Sequence, residues 1–218
     1  MFRSGSKPIR RVLAVVAAGT LAATGLVLSA GSANAAGADA NIYASYPVNG
    51  STEIAATNST MTLGPGTLAA TLGVTSGAIT ANLTLPNATG TFTEFGIVPV
   101  TATTEFVQVG DITGQDVNGG VTTTANEIIK LTDLKVAGLD VPVGDRCETE
   151  TPAVLNLDSG TGFNVLTGGP ISGTYTIPKF ADCGLLVTPI LNLLIPGAGN
   201  TIELTLGKPT VSLTPPTS

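Results

Sequence analysis

The feature that most limits what this chain can fold into is the spacing of its apolar residues, which recur at every second position. Ile79, Ala81, Leu83 and Leu85 lie on one side of AITANLTL, with Thr and Asn on the other. Ala153, Leu155 and Leu157 alternate in AVLNL, Ile202, Leu204 and Leu206 in IELTL, and Leu139, Val141 and Val143 in LDVPV. Successive side chains of a strand point to opposite faces, so each segment reads as a strand with one buried and one wet face. TMTL, IVPVTATTEFVQV, VTTTANEIIKL and GTYTIP are less regular but rich in β-branched residues. GPG, NATG, VNGG, DSGTG and GAGN lie between these runs and supply turn residues. The pattern predicts an all-β fold, a β-sandwich or jelly roll of about 9–11 short strands. Pro99 and Pro142 fall inside strand-like runs and predict edges or bulges, where no ladder donor is needed.

One segment breaks the alternation. CGLLVTPILNLLIPGAGN, from Cys183 to Asn200, is the most apolar stretch outside the N-terminus. A membrane span needs about 20 apolar residues, and Thr188, Pro189 and Asn192 interrupt this run, so it does not read as one. Thr188 as N-cap and Pro189 in the first helical position predict a short helix near residues 189–195, ended by Pro196-Gly197. Asn192 is the one residue of ILNLLI suited to water. The remainder is expected to be buried as a core plug, the rival being a lid over an apolar cavity or an insertion wedge.

The N-terminus reads as an export signal. Arg3, Lys7, Arg10 and Arg11 precede a charge-free run from Val12 to Leu28, and Ala33-Asn34-Ala35 matches a peptidase site that cuts between Ala35 and Ala36. Removing residues 1–35 takes four cations and no acids. Five cations then face fifteen acids, a net charge of −10. Such a chain has no footprint for phosphate backbones and is repelled by anionic membranes, which excludes nucleic acid as a partner. The mature part carries no integral membrane anchor. Residues 36–50 read as a linker or edge segment, 51–213 as a single domain, and 214–218 as a Pro/Thr tail. An extracellular or cell-wall-associated location follows.

Cys147 and Cys183 form an even pair in an exported chain and predict one disulfide, which would contribute roughly 3–4 kcal/mol through the loop it closes. The chain contains no His and no Trp. Without His, neither a Ser-His-Asp nor a Cys-His nucleophile can be assembled, and imidazole zinc sites are excluded. Three tyrosines and no Trp leave little aromatic platform for stacking sugars.

The loop DITGQDVNGG places Asp111, Asp116 and Asn118 near one another in sequence. Oxygen ligands of this kind suit calcium, but the spacing is not that of an EF-hand and the residues are also ordinary turn formers. GDRCETE sets Asp145, Glu148 and Glu150 around Arg146 and reads as a solvated loop beside the disulfide. No pair of acids marks a glycosidase, and the sequons at Asn49, Asn58, Asn82 and Asn87 matter only in a glycosylating host. No cofactor, no metal and no catalytic residue is assigned.

The C-terminal half is similar to a known group. IIKLTDLKVAGLDVPVG, then GFNVLTGGPISGTYTIPKFADCG and LNLLIPGAGNTIELTL, resemble a family of secreted actinobacterial proteins. The resemblance covers roughly residues 78–206 and implies a signal peptide, one β-rich domain and a single disulfide. It brings no catalytic residue. Taken together, the sequence points to a non-enzymatic extracellular or envelope-associated structural or binding module. A carrier of a small apolar ligand, with 185–195 as its lid, is the second reading, and a hydrolase using paired carboxylates the third.

Overall fold

The computed structural model describes residues 40–94 and 96–216; the expected export signal and the expected cleavage between Ala35 and Ala36 lie outside them. In chain order the elements are β1 (Asn41–Ile54), β2 (Ser59–Gly73), β3 (Ala78–Thr84), β4 (Ala88–Glu94), β5 (Val98–Gln108), β6 (Ile112–Val117) and β7 (Gly120–Val136). They continue with β8 (Leu139–Asp140), β9 (Glu148–Thr149), β10 (Ala153–Asp158), β11 (Gly169–Ile177), β12 (Phe180–Ala181), α1 (Val187–Leu194), β13 (Gly197–Leu206) and β14 (Thr210–Ser212).

Strand β7 decides the architecture. Its first half pairs on one side with β6, through Val121↔Asp116 and Thr124↔Thr113, and on the other with β10, through Thr122↔Asp158 to Glu127↔Ala153. The sheet therefore returns to itself in the order β1-β2-β3-β6-β7-β10-β11-β13 and back to β1, with every ring pair antiparallel. The fold is an eight-stranded β-barrel. This corrects the β-sandwich or jelly roll expected from the sequence: a sandwich keeps two sheets with free edges, whereas the β7–β10 ladder joins them. Closure removes the exposed edges that an open sheet must protect. The second half of β7 leaves the ring and carries β5 and β4 as an extension. There Met61 of β2 lies against Gly90 of β4, where an added Cβ would meet its Cγ at 2.5 Å.

Alternation sorts the faces as expected. Ala153, Leu155 and Leu157 are buried, as are Ile202, Leu204 and Leu206, while Asn156, Asp158, Glu203 and Thr205 face outward. Thr80, Asn82 and Thr84 do the same on β3. Apolar in and polar out is the reverse of a barrel that faces lipid. Among the described residues no helix is long and apolar enough to cross a membrane.

Two local expectations need correction. Residues 41–50 are not a linker or an edge. β1 pairs with β2 along its length and on its other side with β14 at Tyr43–Ser45 and β13 from Val48, and Ala44, Tyr46 and Val48 are buried. LDVPV does not form a strand throughout: only Leu139–Asp140 pairs, and Leu139 is exposed. The tight β7–β8 turn, with Ala137 and Gly138 both at positive φ, folds the chain back along β7, and the Val141 N–H still reaches the Leu134 carbonyl before the ladder stops. The β6–β7 turn is a two-residue connection in which Asn118 and Gly119 both adopt positive φ, as the twist of a hairpin demands.

Candidate functional sites

The disulfide forms as expected. Cys147 and Cys183 are bonded with their Cα atoms 4.2 Å apart, and both are fully buried. The bridge fastens the start of the α1 segment to the chain entering β9, where the Cys147 carbonyl accepts the Leu131 N–H.

The helix it anchors faces the opposite way from expectation. α1 begins two residues earlier than predicted, with Leu186 at the N-cap and no side-chain cap. Thr188 is not the cap, because its hydroxyl is engaged outside the helix as acceptor for the Cys183 N–H. Asn192, the residue expected to meet water, points inward: its amide nitrogen donates to the Phe180 carbonyl and its amide oxygen accepts the Phe180 N–H. That paired contact sets the rotation of the helix. Leu191 is turned inward, 4% exposed, Val187 and Ile195 are partly buried against the core, and four aliphatic side chains are turned out. Leu185, Leu186, Ile190 and Leu193 are 97, 79, 56 and 83% exposed. The core-plug expectation thus holds for Leu191 and in part for Val187 and Ile195, and the rest of the segment is an apolar knob with a shallow cleft at its base lined by Asp145, Arg146 and Asp182.

The second site is inside the barrel. A cavity of about 80 Å³ is lined by apolar side chains from all eight ring strands, among them Ile42, Leu68, Leu83, Leu155 and Leu204, with Phe163 and Val165 from the loop after β10. A smaller one of about 50 Å³ lies beneath β4 and β5, and Phe106 lines both. No residue of 185–195 lines the larger cavity, and Ile195 alone reaches the smaller, so the segment is not a lid over the barrel. A drug-sized ligand site needs about 300–1,000 Å³, several times the space available here.

One charged residue projects into this interior. Glu127 is 3% exposed, and its Oε1 has no hydrogen-bond partner. Burial raises its pKa from the ordinary 4.5 to about 7, because an apolar wall penalises the ionised form. Sequence reading missed it, although Val121, Thr123, Ala125, Ile129 and Leu131 mark an inward row on β7 to which Glu127 belongs. Two other polar groups share the wall. Thr123 is one, and Tyr46, its hydroxyl donating to the Val165 carbonyl at 2.7 Å, is the other.

The residues considered for calcium do not converge. Asp111 and Asp116 sit at opposite ends of β6, five residues and so roughly 17 Å of strand apart. The Asp111 carboxylate accepts the Asn82 side-chain amide, and the Asp116 carboxylate accepts the Gly119 N–H to complete the turn at Asn118. Arg146 and Asp182 approach to 4.0 Å at an exposed position.

No family model and no solved structure matches the chain. An alignment 164 positions long, covering 65% of the chain, is 32% identical to the Adhesin BmaC autotransporter of Brucella suis biovar 1 (strain 1330). The matched region spans about 5% of the length of that relative.

Proposed function

We propose that this protein is a non-enzymatic, extracellular or envelope-associated binding module that docks a protein partner through the apolar knob at α1. The observation that carries the reading is the outward set of Leu185, Leu186, Ile190 and Leu193 on a segment pinned by a disulfide and by the Asn192–Phe180 pair. Burying one such side chain is worth about 1.5–3 kcal/mol, so a chain that leaves four of them in water forgoes stability it would recover on docking. The similarity to an adhesin supports a role at a surface. The chemistry around the knob favours protein over lipid or sugar. Its flanks hold Asp145 and Asp182 against the single cation Arg146, too little positive charge to draw it to anionic lipid. The knob also has no aromatic ring for a sugar to stack on.

The test is capture on isolated cell envelopes of wild type and of a Leu185→Ser, Leu186→Ser, Leu193→Ser variant, with protease-treated envelopes and lipid vesicles alongside. The triple variant is expected to bind at least ~10-fold more weakly, since one well-buried leucine accounts for that factor. Protease treatment is expected to abolish capture. Equal capture by the variant, or capture by vesicles alone, would overturn the proposal.

A further inference from the structure

We propose that the barrel interior is a binding site for a compact, uncharged molecule with an apolar body and one hydroxyl group, held by the Glu127 carboxyl. The site is separate from the α1 knob, none of whose residues lines it.

Three observations converge. The first is unfilled space. Ile42, Leu68, Leu72, Leu83 and Phe106 point inward yet remain only half-buried, while Val48, Ile79, Ala81 and Leu155 are buried. The accessible surface they keep borders the 80 Å³ cavity. The second is the orphaned oxygen. Buried polar atoms in native proteins nearly always have partners, and Glu127 Oε1, inside this wall, has none. The third is that, among the described residues, no compensating cation lines it: the titratable groups on the cavity wall are Glu127 and Tyr46, and the Tyr46 hydroxyl is already spent on Val165.

Size and charge then define the ligand. The cavity corresponds to a little under three water molecules' share of the liquid, or about four to five non-hydrogen atoms of a compact organic molecule. Walls this apolar reject a string of polar groups. An ammonium would have to shed its hydration in a space whose polar groups beside Tyr46 are Glu127 and Thr123, and stripping two charges of water costs more than so few contacts return. A hydroxyl costs far less to bury and is matched to the protonated carboxyl that burial favours, since each then offers one donor and one acceptor.

Ligand-observed NMR and thermal shifts on the purified exported protein test this with three probes of similar size: 1-butanol, 1-chlorobutane and butylamine. 1-Butanol is expected to bind saturably at about a millimolar, with contacts to Leu155 and Phe106. 1-Chlorobutane, which lacks the hydroxyl, is expected to bind at least ~5-fold more weakly. Glu127→Gln, which keeps a donor and an acceptor, should stay within about threefold of wild type, and Glu127→Leu should lose ~10-fold or more. No saturable binding of 1-butanol, equal binding of 1-chlorobutane, or tighter binding of butylamine would each overturn the proposal. So would undiminished 1-butanol binding by Glu127→Leu. Should that variant not fold, the wild-type probe series and Glu127→Gln decide the matter.

Discussion

Glu127 should make the stability of this barrel fall as the pH rises through neutrality. In the unfolded chain its carboxyl titrates near the ordinary 4.5, and in the barrel at about 7. Between those values the folded state holds a proton that the unfolded state has released, so stability decreases with pH across this window. The group's full stabilisation is present below about pH 4.5 and is lost as pH passes through about 7. A shift of that size, at 1.36 kcal/mol per pH unit, amounts to about 3 kcal/mol. Its origin is desolvation, with no cation on the cavity wall to offset it. Glu127→Gln keeps the shape and removes the titration. Urea unfolding of both proteins from pH 4 to 9, at constant ionic strength, isolates this one group as the difference between two curves. Wild type should lose about 3 kcal/mol more than Glu127→Gln between the ends of that range, with unchanged m-values. Parallel curves would refute the reasoning, because they would mean that Glu127 has the same proton affinity folded and unfolded.

Other expectations follow from the same geometry. Reducing the Cys147–Cys183 bridge, which spans 36 residues, should cost up to about 4 kcal/mol, read as a lower urea midpoint in dithiothreitol; no change would mean that the loop is equally constrained without it. Leu191→Ala should cost about 2–5 kcal/mol and Leu193→Ala less than about 0.5, although the two lie on one helix two residues apart. Equal costs by thermal unfolding would contradict the orientation of α1. Thr52→Val leaves the buried Tyr175 hydroxyl without its partner at 2.7 Å and should cost about 1–3 kcal/mol by the same assay.

Much of the local structure was legible in the residues. Alternation in AITANLTL, AVLNL and IELTL identified strands and their buried faces, because a strand's side-chain period is a property of its own backbone. An even pair of cysteines in a chain read as exported identified the bridge. Glu127 was legible in principle, being the odd member of an inward row, but its burial could be read only once the register of β7 was assigned.

Closure was not legible. A sandwich and a barrel draw on the same one-sided strands, and what separates them is whether β7 also finds β10, a pairing between residues about 26 to 36 positions apart, from Glu127↔Ala153 to Thr122↔Asp158, with no local mark in either segment. The direction of α1 is a similar case. Its composition announced an apolar helix, and hydrophobicity alone would have buried most of it. The bonds from Asn192 to the Phe180 backbone turned the polar residue inward and four aliphatic ones outward. Sequence determined which residues form strands, which face of each is apolar, and where the chain is cross-linked, since these depend on near neighbours. Tertiary structure alone decided the closed ring, the space left within it and the knob left outside, because each depends on which distant segments satisfy one another's hydrogen bonds and volume.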